Sequence, residues 1–170
     1  MDAFEILSRT PAVLARVAAD VPEALVRVRS GPFALVEHAW HMADLEAVFA
    51  ERIGRLIGED DPFLPDFDGE RVAQEREYLK LDLAPAISAF GQAREETLRS
   101  LRGVCCWDRS GRQEGVGAIS LADIPGRILD HDRAHLNEIA DLLTDLVPGH
   151  PMIDELRTLA QGGPRSSKAA

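Results

Sequence analysis

His131-Asp132-Arg133-Ala134-His135 is the stretch on which the reading of this chain turns. On an α-helix, residues four apart are neighbours on one face, with Cβ atoms about 5–6 Å apart. The apolar pattern identifies that face: Ile128, His131, Asp132, His135, Ile139, Leu142 and Leu146 follow the three–four spacing of a helix turned toward a core. Two histidines therefore stand where Leu or Ile is expected, and a buried polar group costs free energy unless it is satisfied. Two explanations are open. Each imidazole is hydrogen-bonded to a neighbour or lies at the edge of a bundle, or both reach one metal ion, with M–N bonds of about 2.0–2.1 Å. Imidazole is the commonest metal ligand. The residue after His131 is Asp132, so the His-Glu-x-x-His motif of a zinc protease is absent.

Outward from this stretch the chain reads as helical. A first helix spans about Ala3 to Ala19, with Phe4, Leu7, Val13, Leu14 and Val17 on its apolar face. A second reading starts it at Pro11 with Thr10 as N-cap and leaves residues 2–9 as a separate turn. The next helix runs from about Phe33 to Ile57, and Gly58 suits its C-terminal end. It carries His38 and His41, which differ by about 60° around the axis. Both lie near the apolar stripe, so periodicity does not choose between them; one is expected to face inward. Glu37, Asp44 and Glu46 are close enough in sequence to orient an imidazole or to form a solvated face.

Residues 58–82 form a long connection, acidic and turn-rich at first, with a short helix expected in its second half. Asp60, Asp61, Asp66 and Asp68 lack the spacing of a calcium-binding loop and are read as surface. A third helix spans about Pro85 to Leu101, with Ile87, Phe90, Ala93, Arg94, Thr97, Leu98 and Leu101 as its stripe. The link 103–119 is Gly-rich without phosphate-loop spacing and without a preceding strand. The last long helix starts at Ser120 or Asp123 and continues to about Leu146. His150, in a Pro/Gly turn, is expected to be exposed, and Ile153 to Leu159 to pack back as a short segment. Residues 1–160 are read as one domain and residues 161–170 as a disordered tail.

Composition narrows the classes. Hydrophobic residues make up 45% and charged residues 28%, as in a globular domain with a real core. A net charge of −10 argues against nucleic acid, which needs a basic footprint. No apolar run approaches the roughly 20 residues that span a bilayer. Met1-Asp2-Ala3-Phe4-Glu5 lacks the basic start of a signal peptide, so the expectation is a cytoplasmic protein with no membrane partner. Cys105 and Cys106 are adjacent and read as reduced thiols.

Four amphipathic helices with a long crossover after the second describe a four-helix bundle. His41-Met42-Ala43-Asp44-Leu45-Glu46 resembles the HxADxE segment of the DinB/YfiT-like metalloprotein superfamily. His131-Asp132-Arg133-Ala134-His135-Leu136-Asn137-Glu138-Ile139 is similar to its HxxxH segment, where HDxxHLxQI is common. Trp107-Asp108-Arg109 followed by Gly117-Ala118-Ile119-Ser120-Leu121 looks like its link into the last helix. The resemblance covers about Phe4 to Leu146.

It implies an all-α, up-down-down-up bundle with the crossover between helices 2 and 3. It implies metal ligands at His41, His131 and His135, preferring His41 where spacing was silent. It also implies a divalent ion, zinc or nickel foremost and iron or manganese as alternatives, with open positions for water or substrate, and frequently a homodimer. Some members are thiol-dependent, using mycothiol, bacillithiol or glutathione. The chain departs from the pattern at Asn137-Glu138, where Asn/Gly-Gln is usual, and at Gln113, where relatives often carry a histidine. The expected function is metal-dependent thiol S-transfer or hydrolysis on a small-molecule substrate. The alternative is a non-catalytic stress-response or binding protein with a structural metal, and a weaker one a bundle with no metal.

Overall fold

In a computed structural model, residues 2–162 are described. Six α-helices, α1 (Ala3–Asp20), α2 (Leu35–Gly58), α3 (Gly69–Glu75), α4 (Leu83–Arg102), α5 (Ile124–Leu146) and α6 (Ile153–Gln161), accompany three short strands. The four long helices form the bundle: α2 lies along α4 and α5, and α1 closes the other side against the same two. The apolar stripes meet in one core, to which α1 gives Ile6, Leu7, Val13, Leu14 and Val17, and α5 gives Ile128, Leu129, Leu136, Ile139 and Leu143. α6 packs on α5 and reaches α1, where Arg16 pairs with Glu155 at 2.8 Å.

α1 starts at Ala3, because Asp2 caps it by accepting from the Glu5 N–H, and it continues through Pro11. Pro11 has no N–H to give the Leu7 carbonyl, which would leave a buried acceptor orphaned. Arg94 fills that vacancy from α4, donating from Nη1 to the Leu7 oxygen at 3.0 Å. The same guanidinium makes two bonds to Asp132 of α5, at 2.7 and 2.8 Å, and one to Glu46 of α2, at 2.8 Å. Arg94 is 1% exposed and Asp132 0%, so one side chain ties all four long helices together inside the core. Burial opposes its charge, but Asp132 and Glu46 outweigh that and raise its pKa above the ordinary arginine value.

The link between α4 and α5 is not simple coil. β2 (Ser110–Gln113) and β3 (Gly117–Ser120) pair antiparallel, and β1 (Phe63–Leu64) of the crossover joins β2 in parallel. The sheet order is β1-β2-β3. This corrects the all-helical expectation, in which no strand was seen near the Gly-rich link. Strands of two and four residues are too short to show an alternating pattern. Gly111 is needed where the strands meet: a Cβ there would lie 2.6 Å from the Pro62 carbonyl oxygen. The sheet pins the crossover to the start of α5, and Ser120 and Asp123 then form a capping box ahead of it, with Ser120 N–H to Asp123 Oδ2 at 2.8 Å.

The second half of the crossover is α3 followed by a 3₁₀ turn at Tyr78–Lys80. His150 is buried rather than exposed, 7% accessible, and its Nδ1 accepts from the Met152 N–H at 3.2 Å where the turn enters α6. Gln161 ends α6, and the rest of the expected tail, from residue 163, lies outside the described residues. Among the described residues no helix is long and apolar enough to cross a membrane.

Replacing Arg94 by alanine would leave Asp132 and Glu46 buried without their counter-charge. We expect Arg94→Ala to lose about 3–5 kcal/mol of stability in urea unfolding, and a loss no larger than that of an exposed arginine such as Arg99 would contradict the clamp.

Candidate metal centre

α2 and α5 face one another, and their histidines meet between them. His41 and His131 approach Nε2 to Nε2 at 3.0 Å, and the His131 and His135 rings are 4.4 Å apart between centroids. One ligand atom from each of His41, His131 and His135 falls in a group within 4.8 Å of one another. A tetrahedral ion with bonds of about 2.0–2.1 Å holds its ligand atoms about 3.3 Å apart, close to the observed imidazole contact. Both helical faces predicted to be apolar thus converge on one cluster of ring nitrogens.

Both α2 histidines face inward, not one. His38 is 1% exposed and His41 9%. Their roles differ by partner. His41 meets His131, whereas His38 Nδ1 lies 2.9 Å from His135 Nδ1. Glu138, one turn beyond His135 on α5, brings Oε2 to 3.2 Å from that same His135 nitrogen and 3.8 Å from His38 Nδ1. His38, His135 and Glu138 also make a second group of donors that could hold an ion. It shares His135 with the first.

The acidic residues near His38 and His41 in sequence are committed elsewhere. Glu37 binds Arg29 and the Ala34 N–H, Asp44 binds Arg76 and Tyr78, and Glu46 belongs to the Arg94 clamp. Glu138 is the carboxylate that orients an imidazole. Its position three residues after His135, on the same helical face, is the signal for it in the sequence.

Burial sets the protonation state. Loss of hydration, followed by repulsion from His135, lowers the His41 pKa to about 4. The same two causes lower His131 further, and burial with His135 and His41 holds His38 well below 6.5. These imidazoles are neutral near pH 7, the form that binds metal. His41 Nδ1 is buried with no hydrogen-bond partner. Gly69, the first residue of α3, sits against that edge: a Cβ there would come 2.4 Å from His41 Cε1. Phe33 covers the cluster, its ring centroid 5.4 Å from His41 and stacked at 6.4 Å on His135. A cavity of about 740 Å³ opens onto His41, His135 and Glu138.

A helical bundle with four imidazoles packed between two helices, ring nitrogens paired at 2.9 and 3.0 Å, has a donor set that could hold a metal ion. Comparison with known proteins gives the family and the fold. Residues 6–139 match the DinB superfamily, and the chain belongs to it. Its fold is similar to that of YfiT from Bacillus subtilis, described as a probable metal-dependent hydrolase with an unusual four-helix bundle topology. That likeness has a TM-score of 0.78 at 16% identity and covers 85% of each chain. No curated protein matches the chain.

The buried imidazoles make the metal-free fold sensitive to acid. His41 titrates near 4 when folded and near its ordinary 6.5 when unfolded, so between those values the unfolded chain holds more protons. Stability contributed by the neutral ring is full above 6.5 and is lost as the pH falls toward 4. We expect the urea midpoint of metal-free wild type to fall over this window more steeply than that of His41→Gln; equal slopes would contradict burial of a neutral His41.

Proposed function

We propose that this chain is a metal-dependent enzyme of the hydrolase type, in which His41, His131 and His135 hold one divalent ion. The observation that carries the reading is the convergence of imidazoles from α2 and α5 at a point open to a cavity. The description of YfiT as a probable metal-dependent hydrolase supports it. Zinc and nickel suit an all-imidazole set best, with iron or manganese as alternatives. The proposal takes the up-down-down-up path for α1, α2, α4 and α5, in keeping with the long crossover between α2 and α4.

The bound ion would supply Lewis acidity, polarising a carbonyl and lowering the pKa of water. The chain's own groups prepare the site. A proton on His135 Nδ1 has two acceptors, His38 Nδ1 and Glu138 Oε2, and placing it there leaves the other ring nitrogen as a lone pair. Phe33 and Phe67, the latter 5.9 Å from His41 between ring centroids, keep water off the flanks of the cluster. Glu138 lines the larger cavity and is placed to take a proton from a group bound there. A thiol substrate would use the same residues.

A second reading has one observation in its favour. His38 is a fourth imidazole, 2.9 Å from His135, and with His135 and Glu138 it makes a second donor group that a purely structural ion would use. Metal content after dialysis separates the two. We expect His41→Ala to empty the site, and with it the gain of about 2.7 kcal/mol that metal at one hundred times Kd gives the fold. We expect His38→Ala to keep one ion per chain with affinity weakened about 10–100-fold, the usual cost of removing an orienting partner. Loss of the ion from His38→Ala as complete as from His41→Ala would replace the catalytic site with a closed structural one.

A further inference from the structure

The histidines are also reached from a second side. A cavity of about 420 Å³ has His41 and His131 at its base and Leu45, Phe49 and Phe67 as apolar walls. That is within the range of about 300–1,000 Å³ typical of small-molecule sites. Arg52, Arg127 and Gln113 complete the lining, and their polar atoms are under-used. Arg52 is 6% exposed; Nη2 donates to the Pro65 carbonyl at 2.8 Å, while Nε is buried with no partner. Gln113 is 8% exposed and its side-chain oxygen is likewise buried without a partner. The half-buried Arg127 makes no hydrogen bond or ion pair with the described residues. A guanidinium offers five N–H donors in a planar fork matched to a carboxylate; among the described residues Arg52 uses one of its donors, on Pro65, and this spare capacity beside a candidate reaction centre asks for a ligand. Burial lowers the Arg52 pKa, Asp66 raises it and Arg127 lowers it, so the two arginines feel one another.

The charge balance selects the ligand. The lining sets Arg52 and Arg127 against Asp66 and Asp130, and Asp130 is paired with Arg133 at 3.1 Å, outside the lining. With Asp130 counted toward Arg133, one positive charge is left in the lining, and Asp123 outside it offsets part of Arg127; the small surplus suits a monoanion better than a dianion. The larger cavity has the opposite bias, with Arg29 and Lys80 against Glu37, Glu70, Glu77 and Glu138.

We propose that the smaller cavity is a subsite for the carboxylate of a small apolar monoanionic substrate. Arg127 and Arg52 hold the carboxylate, the Gln113 amide turns to hydrogen-bond it, and the substrate's body lies on Phe49 and Phe67 with its reacting group toward His41 and His131. The chemistry at that end rests on the metal-dependent reading; the grip on the carboxylate does not.

The test uses the full chain stripped of metal and dialysed free of chelator, with benzoate as probe, benzamide as its uncharged counterpart and inorganic phosphate as the competing oxyanion. Titration is followed by the ¹⁵Nε signals of the arginines. Benzoate should bind saturably in the millimolar range or tighter and shift the Arg52 and Arg127 signals. Arg127→Gln should weaken it at least about tenfold, the loss of one charge-assisted contact. Arg127→Lys should fall between the two, and Lys80→Gln, in the larger cavity, should match wild type. The proposal is overturned if benzoate gives no saturable shift, if benzamide binds as well, if phosphate binds more tightly, or if Arg127→Gln binds as wild type does. Because no metal is present, these outcomes are independent of whether the histidines bind an ion.

Discussion

The guanidinium of Arg94 is the contact on which the rest of the structure depends. It is buried in the centre of the bundle and bonded to Leu7, Glu46 and Asp132, so α1, α2 and α5 are each tied to α4 by the same group. An arginine there would be costly alone, since a buried charge needs both a counter-charge and hydrogen bonds. The chain supplies two carboxylates, and Pro11 frees the Leu7 carbonyl. Such a cluster constrains how the helices sit against one another through directional bonds that apolar packing lacks.

That arrangement sets up the histidine cluster. Asp132 is the neighbour of His131, and Glu46 lies little more than one turn beyond His41 on α2. The clamp thus holds the two histidine-bearing helices at the depth where His41 and His131 can touch nitrogen to nitrogen. Arg94 also adds its charge to the burial and the His135 and His41 interactions that keep His131 neutral. Gly69 and Phe33 finish the enclosure from the crossover and from the residues before α2, without adding a polar group that would compete for the imidazoles. Two cavities of opposite charge bias then reach the cluster from different sides.

Much of this was legible in the chain because it is local. The i,i+4 pair His131/His135 on an apolar stripe, the helix around His41 and the capping signals ahead of α5 all follow from spacing over a few residues. What stayed hidden is long-range. Arg94 was visible as a polar residue in an apolar stripe, but its partners lie 87, 48 and 38 residues away. Periodicity placed His38 and His41 about 60° apart, and the expectation of a single inward residue failed because the cluster has room for both. Strand pairing of the crossover with the Gly-rich link depends on two segments too short to show a period, and burial of His150 depends on how α6 folds back. Arg52 and Arg127, on different helices, become a pair only once α2 and α5 are docked.

The central claim is that His41, His131 and His135 hold one ion. A crystal of the full chain grown with zinc or nickel and measured on both sides of the metal's absorption edge tests it most directly. The account predicts one anomalous peak per chain, about 2.0–2.1 Å from a nitrogen of each of these residues, with His38 and Glu138 against His135 rather than on the ion. A peak bound instead by His38, His135 and Glu138, or none among the histidines, would contradict it.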